Sequence, residues 1–204
     1  MRIALATAIL GTALVTAPLA GTDQDGRAKE SLERAFSQNG RIRMDLSAGE
    51  YHISGSPDNR IRLEWSVRDA AQLPRVKARA DVRDREASIT TDGPTNKGLH
   101  VAIQVPKQAD LYVRLTAGDL RIEGIQGNKD VELHAGDVRI DVGRADDYRN
   151  VDASVWAGEI RATAFQVHKE GLFRSFDWRG KGPYRLHAKL KAGDLRLFSK
   201  AEEK

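Results

Sequence analysis

The sequence contains no cysteine among its 204 residues. This absence excludes disulfide bonds and a lipid attached through an N-terminal cysteine, so an apolar core alone has to stabilise the domain. No long hydrophobic run follows the first 20 residues, and we therefore expect the mature chain not to span a membrane. A strong excess of one charge is also lacking. The 33 basic and 29 acidic residues are mixed along the chain, which does not indicate a nucleic-acid partner.

Motifs of catalysis and cofactor binding are missing as well. The sequence has no helical zinc-protease motif, no GxSxG nucleophile elbow and no glycine-rich phosphate loop. The histidines are scattered without the close spacing of a zinc site; they are His52, His100, His134, His168 and His187. We therefore predict no catalytic residue, no metal site, no cofactor and a protein that is not an enzyme.

The first residues have the features of an export signal. Arg2 precedes a run from Ile3 to Ala20 that contains no charged residue. This pattern predicts a signal peptide over residues 1–20 and a protein exported to the periplasm, the outer envelope or the extracellular space. About 18 apolar residues are the lower limit for crossing a bilayer, so a leader retained as a membrane anchor is the alternative.

A repeat is the clearest pattern in the rest of the chain. Five segments share the form [L/V]-x-A-G-[D/E] followed by alternating apolar and polar residues, over residues 46–53, 115–122, 133–140, 155–162 and 190–197. The alternation predicts strands with one buried face. Each segment has one glycine, which suits a sharp turn because glycine adopts positive φ angles without strain. The predicted turn glycines are Gly49, Gly118, Gly136, Gly158 and Gly193.

The short intervals between repeats indicate stacking. Gly118 and Gly136 are 18 residues apart, and Gly136 and Gly158 are 22 apart. A unit of that size cannot bury its own apolar face and has to stack on its neighbours. We therefore predict an all-β protein with a β-solenoid over residues 41–204. Residues 21–40 are predicted to cap one end, because residues 25–38 fit a short amphipathic helix.

Several stretches carry a family resemblance. They are SAGEYHISG (47–55), LTAGDLRIEGIQG (115–127), VELHAGDVRI (131–140) and the terminal run FDWRGKGPYRLHAKLKAGDLRLF (176–198). Through them the sequence resembles the bacterial putative adhesin family, β-solenoid domains of unknown function, over most of the mature chain. The resemblance implies a cell-envelope solenoid and suggests adhesion, and it brings no catalytic residues.

Charged residues recur at fixed positions after each turn glycine. The acids are Glu50, Asp119, Asp137, Glu159 and Asp194, and the bases two positions later are His52, Arg121, Arg139, Arg161 and Arg196. On strands about 4.8 Å apart the bases would form an outward row able to hold a polyanion. The acids are expected to accept hydrogen bonds from turn amides rather than to bind calcium. The alternative to a ligand row is a solvated face on which acids and bases compensate each other.

Trp156 occupies a repeat position that is otherwise polar, which predicts an outward ring. The equivalent residues are Ser47, Thr116, His134 and Lys191. An outward aromatic ring can stack on a sugar. The alternative hypothesis is that the aromatic residues near the C-terminus pack the last strands against one another.

Three functional hypotheses follow from these features. The first is a non-enzymatic structural or interaction module of the cell envelope, whose partner is an envelope component or another protein. The second is a carbohydrate- or polyanion-binding module that uses the arginine row or Trp156. The third is an enzyme acting on polysaccharide, since some such enzymes place acids and bases in the groove of a solenoid.

Overall fold

The computed structural model describes residues 19–22, 28–93 and 98–200 of the chain. These residues form 15 strands: β1 (Leu19–Thr22), β2 (Ala28–Ala35), β3 (Arg41–Leu46), β4 (Gly49–Ser56), β5 (Arg60–Val67), β6 (Lys77–Arg83), β7 (Glu86–Asp92), β8 (Leu99–Pro106), β9 (Asp110–Glu123), β10 (Lys129–Ala135), β11 (Val138–Asp141), β12 (Tyr148–Ala162), β13 (Val167–Arg179), β14 (Tyr184–Ala192) and β15 (Leu195–Phe198). Short 3-10 helices cover Ala70–Arg75, Ala145–Asp147 and Thr163–Phe165. Residues 1–18 of the predicted signal peptide lie outside the described residues.

Six parallel strands close into a barrel at the centre of the molecule. Around the barrel the order is β9, β10, β14, β12, β15, β11 and back to β9. The barrel closes because β9 and β12 are long and contribute to both of its sides. The first side consists of β10 and β14 with the first halves of β9 and β12. The second side consists of β11 and β15 with the second halves of the same two strands.

The interior of the barrel is filled by the apolar half of the alternating pattern. On β9, Leu111 and Val113 are completely buried, and Leu115 is 2% exposed. Beyond the corner, Leu120 and Ile122 are buried in the same way. The neighbouring strands place equivalent side chains beside them, because the register aligns each repeat with the next. Burial of these aliphatic groups stabilises the fold without any cross-link.

The N-terminal half of the chain forms strands outside the barrel. β3 extends the first side by pairing with β9, and it continues through β7 to β6. β4 extends the second side by pairing with the other half of β9, and it continues through β8, β5 and β2 to β1. On the far side of the barrel, β13 runs antiparallel along β12.

The all-β prediction is confirmed, but the predicted β-solenoid is wrong. A solenoid adds its rungs in chain order, whereas here β14 lies between β10 and β12 although it follows both of them in sequence. The strand after β12 is also not a further rung, because β13 pairs antiparallel with β12. Equivalent strands with one buried face can be ordered in several ways, and the repeat pattern does not distinguish these orders.

The predicted capping helix is wrong as well. Residues 28–35 form the strand β2, which pairs antiparallel with β5 from Ala28↔Val67 to Ala35↔Arg60. Apolar side chains at helical spacing are also compatible with a strand that is only partly buried on both faces. Pairing with β5 makes this segment a strand rather than a helix. Among the described residues, no helix has the length and apolar character needed to cross a bilayer.

A buried lysine closes the end of the barrel at which its strands begin. Lys129, the first residue of β10, is 1% exposed. Its ammonium group donates to the carbonyl oxygens of Ile125 (2.9 Å) and Gly127 (3.2 Å) and to the hydroxyl group of Tyr148 (2.8 Å). All three donors of the ammonium group are therefore used, which satisfies this polar group inside the core.

Candidate functional site

The predicted turn glycines lie next to one another at the corners of the strands. Across the sheet the order is Gly49, Gly118, Gly136, Gly193 and Gly158, which differs from their order in the sequence. The backbones approach so closely that a Cβ on Gly136 would collide with the carbonyl oxygen of Gly118. Gly118, Gly136, Gly158 and Gly193 have positive φ angles, whereas Gly49 does not.

Behind these corners, the second side of the barrel carries a line of basic side chains that we call the basic row. Its members occupy aligned positions on six neighbouring strands, in the order His52, Arg121, Arg139, Arg196, Arg161 and His168. The structure thus brings together the four arginines and His52 of the repeats and adds His168 from β13. Five inter-strand spacings of about 4.8 Å make the row about 24 Å long.

Carboxylates neutralise both ends of the basic row. At one end, Arg121 donates to Glu123 at 2.6 Å, and His52 contacts the other oxygen of Glu123 at 3.0 Å. The hydrogen bond from Arg121 is the main cause that lowers the pKa of Glu123, against the opposing effect of burial. At the other end, Glu159 lies 2.6 Å from Arg161 and 2.9 Å from His168. The compensated face expected from the sequence is present at these two ends.

At the centre of the basic row, the acids bind backbone N–H groups instead of arginines. The carboxylate of Asp137 accepts the backbone N–H of Asp194 at 3.1 Å, and that of Asp194 accepts the backbone N–H of Glu159 at 3.1 Å. These acids therefore hold neighbouring turns together, as expected from the sequence. Among the described residues, neither Arg139 nor Arg196 has a carboxylate within ion-pair distance. Arg139 is exposed and Arg196 is partly exposed.

A groove of about 440 Å³ begins at the His52 end of the basic row. Its charged lining consists of Lys29, Glu50, His52, Glu64, His100, Asp119, Arg121, Asp137 and Arg139. Several of these side chains are paired within the groove, for example Lys29 with Glu64 at 2.5 Å and His100 with Glu50 at 2.9 Å. Arg139 is the only cation of this lining without a carboxylate partner among the described residues.

The first side of the barrel carries an exposed aromatic pair. The side chain of Trp156 is 57% exposed and that of Phe173 is 71% exposed, so the outward direction predicted for Trp156 is confirmed. The two rings meet edge to face with centroids 5.7 Å apart. By contrast, Phe176 is buried and Trp178 is partly buried, and both pack against Phe165, so packing of the last strands accounts for them.

Two lysines flank the aromatic pair. Lys191 lies beside Trp156 on the adjacent strand β14, and Lys189 precedes it on the same face. Both side chains are exposed, and within the described parts of the chain neither has a carboxylate partner. Together these four residues line a largely apolar depression of about 680 Å³, which we call the aromatic platform (Trp156, Phe173, Lys189 and Lys191).

A third cluster was missed by the sequence reasoning. The antiparallel pairing of β13 with β12 brings His168 and Glu170 beside Glu159, and one ligand atom of each lies within 4.8 Å of the others. Glu159 also lies 2.6 Å from Arg161, so ion pairing accounts for the contacts of this group. Residues on different strands form the cluster, and their spacing in the sequence gave no signal for it.

No protein-family model and no curated protein matches this chain. One solved structure, however, has a similar architecture. The fold is similar to that of a putative cell adhesion protein from Clostridium sporogenes. That structure matches with a TM-score of 0.56 at 13% sequence identity, over 84% of this chain and 100% of the other. At 13% sequence identity, the likeness shows a shared fold.

Two further structures match more weakly. A putative adhesin from Parabacteroides merdae matches with a TM-score of 0.33 at 13% identity, over 83% of this chain and 96% of the other. A putative adhesin from Parabacteroides distasonis matches with a TM-score of 0.30 at 15% identity, over 83% and 69% of the two chains. Scores of this size carry no argument about function.

Proposed function

We propose that the protein is a non-enzymatic, exported binding module of the adhesin type, which attaches to an anionic glycan through the aromatic platform. The observation that supports this proposal is the exposed pair of Trp156 and Phe173 beside two lysines that have no carboxylate partner among the described residues. Large apolar side chains rarely remain exposed together on a soluble protein unless they meet a partner.

The chemistry of the aromatic platform fits an acidic sugar. The flat face of a tryptophan ring can cover the apolar C–H face of a pyranose, and the ring keeps its N–H available for hydrogen bonding. Because no described carboxylate pairs with Lys189 or Lys191, their ammonium groups can contact the carboxylate of the same sugar or of its neighbour. Exposed ion pairs contribute little individually, so stacking on Trp156 is expected to supply most of the affinity.

Export to the cell envelope is part of this proposal and depends on the signal peptide predicted for residues 1–20. An adhesin-like module acts outside the cytoplasm, where acidic polysaccharides are exposed. A protein partner is the alternative occupant of the aromatic platform, because Leu172, 59% exposed, extends the apolar surface along β13.

The test is the binding of acidic and neutral oligosaccharides, for example oligogalacturonate and the corresponding neutral oligomer, measured by calorimetry. We expect Trp156→Ala to weaken binding of the acidic oligomer at least tenfold, which corresponds to about 1.4 kcal/mol. The matched control is Tyr112→Ala, since Tyr112 is a half-buried, outward-facing aromatic residue on the same side of the barrel. This control is expected to bind like the parent.

The lysines are tested in the same way. The double variant Lys189→Gln/Lys191→Gln is expected to weaken binding of the acidic oligomer but not of the neutral one. The control is Lys77→Gln, which changes an exposed lysine on the distant strand β6. The oligomers are expected to be recovered uncleaved after incubation, as a binding module requires. Equal affinity of the parent and Trp156→Ala for every oligosaccharide would contradict the proposal.

A further inference from the structure

The pairing of β13 with β12 places negative charges side by side at one end of the second side of the barrel. Glu170 on β13 lies directly opposite Glu159 on β12. The next strand, β15, places Asp194 beside Glu159, and the carboxylate of Asp194 accepts the backbone N–H of Glu159 at 3.1 Å. Like charges in directly opposed positions destabilise a sheet. This end of the sheet therefore favours the binding of a cation.

The ring of His168 lies within reach of both opposed carboxylates. Its Nε2 atom is 2.9 Å from Oε1 of Glu159 and 3.1 Å from Oε1 of Glu170. One ring nitrogen carries at most one hydrogen, so it cannot donate a full hydrogen bond to both oxygens. One ligand atom from each of the three side chains lies within 4.8 Å of the others. The strand pairing thus collects one nitrogen and two oxygen ligands at a single point.

The Oε1 atom of Glu159 is the least satisfied atom of this group. It is buried from solvent, and no described residue donates a hydrogen bond to it. Nitrogen atoms of Arg161 and His168 lie 2.6 Å and 2.9 Å away, but their N–H groups do not point at the oxygen well enough to form a hydrogen bond. A buried carboxylate oxygen without a hydrogen bond is costly, and a directly bound metal ion compensates for that cost.

We propose that Glu159, His168 and Glu170 form a binding site for a divalent transition-metal ion of the zinc type. Zinc binds imidazole nitrogen and carboxylate oxygen at about 2.0 to 2.2 Å in a tetrahedron, whose edges are then about 3.4 Å long. The observed separations of 2.9 Å and 3.1 Å require only small shifts of the side chains. Calcium takes about six to eight oxygen ligands, so this set favours a transition metal.

The charges in contact with the cluster fit a dication. Glu159, Glu170 and Asp194 contribute three negative charges and Arg161 contributes one positive charge, so the group has a net charge of about −2 when His168 is neutral. A bound dication neutralises it. The side chain of Arg161 is 44% exposed, so its guanidinium group can move into solvent when a metal takes its place. Ion pairs without a metal and coordination with one therefore use the same atoms.

The metal ion connects β13 to the barrel. One ligand comes from β12 and two come from β13, which among the described strands pairs only with β12. Residues 168–175 of β13 are all exposed, so few packing contacts hold this part of the strand. A metal at its start fixes β13 against β12. The site is independent of the proposed glycan contact, since it lies beyond Gly158 on the second side of the barrel.

The experiment titrates the full chain, prepared without a polyhistidine tag, with zinc chloride near neutral pH and follows binding by calorimetry. We expect one zinc ion to bind per chain and to raise the melting temperature, because the metal binds the folded state. His168→Ala and Glu170→Gln are each expected to weaken zinc binding at least tenfold. Both side chains are exposed, so circular dichroism is expected to show that the two variants are folded.

The matched controls are His187→Ala and Glu86→Gln. His187 is an exposed histidine near one carboxylate, that of Asp152 at 3.8 Å, and Glu86 is an exposed acid that pairs with Arg41. Both controls are expected to bind zinc like the parent. Equal losses of affinity in His168→Ala and His187→Ala, or no saturable zinc binding by the parent, would overturn the site. Tighter binding of calcium than of zinc would overturn its assignment to a transition metal.

Discussion

At the scale of single residues, Lys129 is the side chain whose chemistry depends most on its surroundings. Burial lowers the pKa of Lys129 to about 7, although the charges of Asp141, Asp110 and Asp147 act in the opposite direction. Burial also raises the pKa of its partner Tyr148, which therefore keeps its proton. In the unfolded chain the pKa of lysine is about 10.4, so folding changes the proton affinity of this group.

This difference predicts that the protein becomes more stable as the pH rises from about 7 to about 10. In that interval the unfolded chain holds a proton on Lys129 that the folded protein has released, and stability rises with pH wherever the unfolded state binds more protons. We expect a gain of a few kcal/mol in the free energy of unfolding, of the order given by about 1.4 kcal/mol per pKa unit. Urea unfolding at several pH values measures it.

The variant Lys129→Met isolates the contribution of this residue. It removes the titrating group, so the difference in unfolding free energy between parent and variant is expected to increase with pH over the same interval. Other titrating groups cancel in that difference. Curves for parent and variant that remain parallel from pH 7 to pH 10 would show that Lys129 keeps its charge in the folded protein.

At the scale of elements, the glycine corners between the two sides of the barrel decide whether it can close. Each corner requires a backbone that lies directly against the corner of the neighbouring strand. Gly136, between β10 and β11, has a φ angle of 126°, and a Cβ there would strike the backbone of Gly118. Two effects therefore select glycine at this position, namely the positive φ angle and the close approach of another backbone.

Gly136→Ala is predicted to destabilise the protein by at least about 3 kcal/mol, since backbone strain adds to a clash that rigid neighbours cannot relieve. Gly143→Ala is the matched control. Gly143 also has a positive φ angle, 65°, but nothing lies within 4 Å of the position its Cβ would take. This control is expected to cost only about 1 kcal/mol. Similar midpoints of urea unfolding for both variants would contradict the role of close approach.

The antiparallel pairing of β13 with β12 was not predicted from the sequence. The chain between Gly158 and Gly193 spans about two repeat lengths, which predicts one further rung in a stack. Instead β13 returns antiparallel along β12, and its residues 168–175 are all exposed. Phe173 has a φ angle of 53° and Gly171 one of 109°, and such kinks discourage an edge strand from pairing with another chain.

At the scale of the whole molecule, closure couples the repeats to one another. In a solenoid each repeat contacts its two neighbours, and the ends can unfold separately. In the barrel every strand has hydrogen-bonded neighbours on both sides, and β9 and β12 take part in both sides of it. Loss of one strand therefore exposes the whole interior.

We accordingly predict a single cooperative unfolding transition in urea. The test compares circular dichroism, which follows all strands, with tryptophan fluorescence in the variant Trp156→Phe/Trp178→Phe, which leaves the buried Trp65 on β5 as the reporter. Coincident curves are expected because β5 belongs to a sheet that continues into the barrel through β8 and β4. A separate early transition in one of the two signals would indicate repeats that unfold independently.

The sequence determined the local features of this protein. Strict alternation determined the β-strands and their buried faces, as in Leu111 to Leu115, and the position of Trp156 in its repeat determined that its ring is exposed. Hydrophobic burial depends on the pattern of side chains within each strand, so it can be read from one segment at a time. The same reasoning placed the four arginines of the basic row at equivalent positions.

Only the tertiary structure decided the order of the strands and the partners of their charges. Backbone hydrogen-bonding groups are the same in every strand, so the repeats alone do not determine that β14 lies between β10 and β12. That order makes Arg196 the neighbour of Arg139 and directs Asp137 and Asp194 to turn amides. Pairing between distant segments likewise turned the predicted helix into β2, because hydrogen bonds with β5 outweigh a weak local preference.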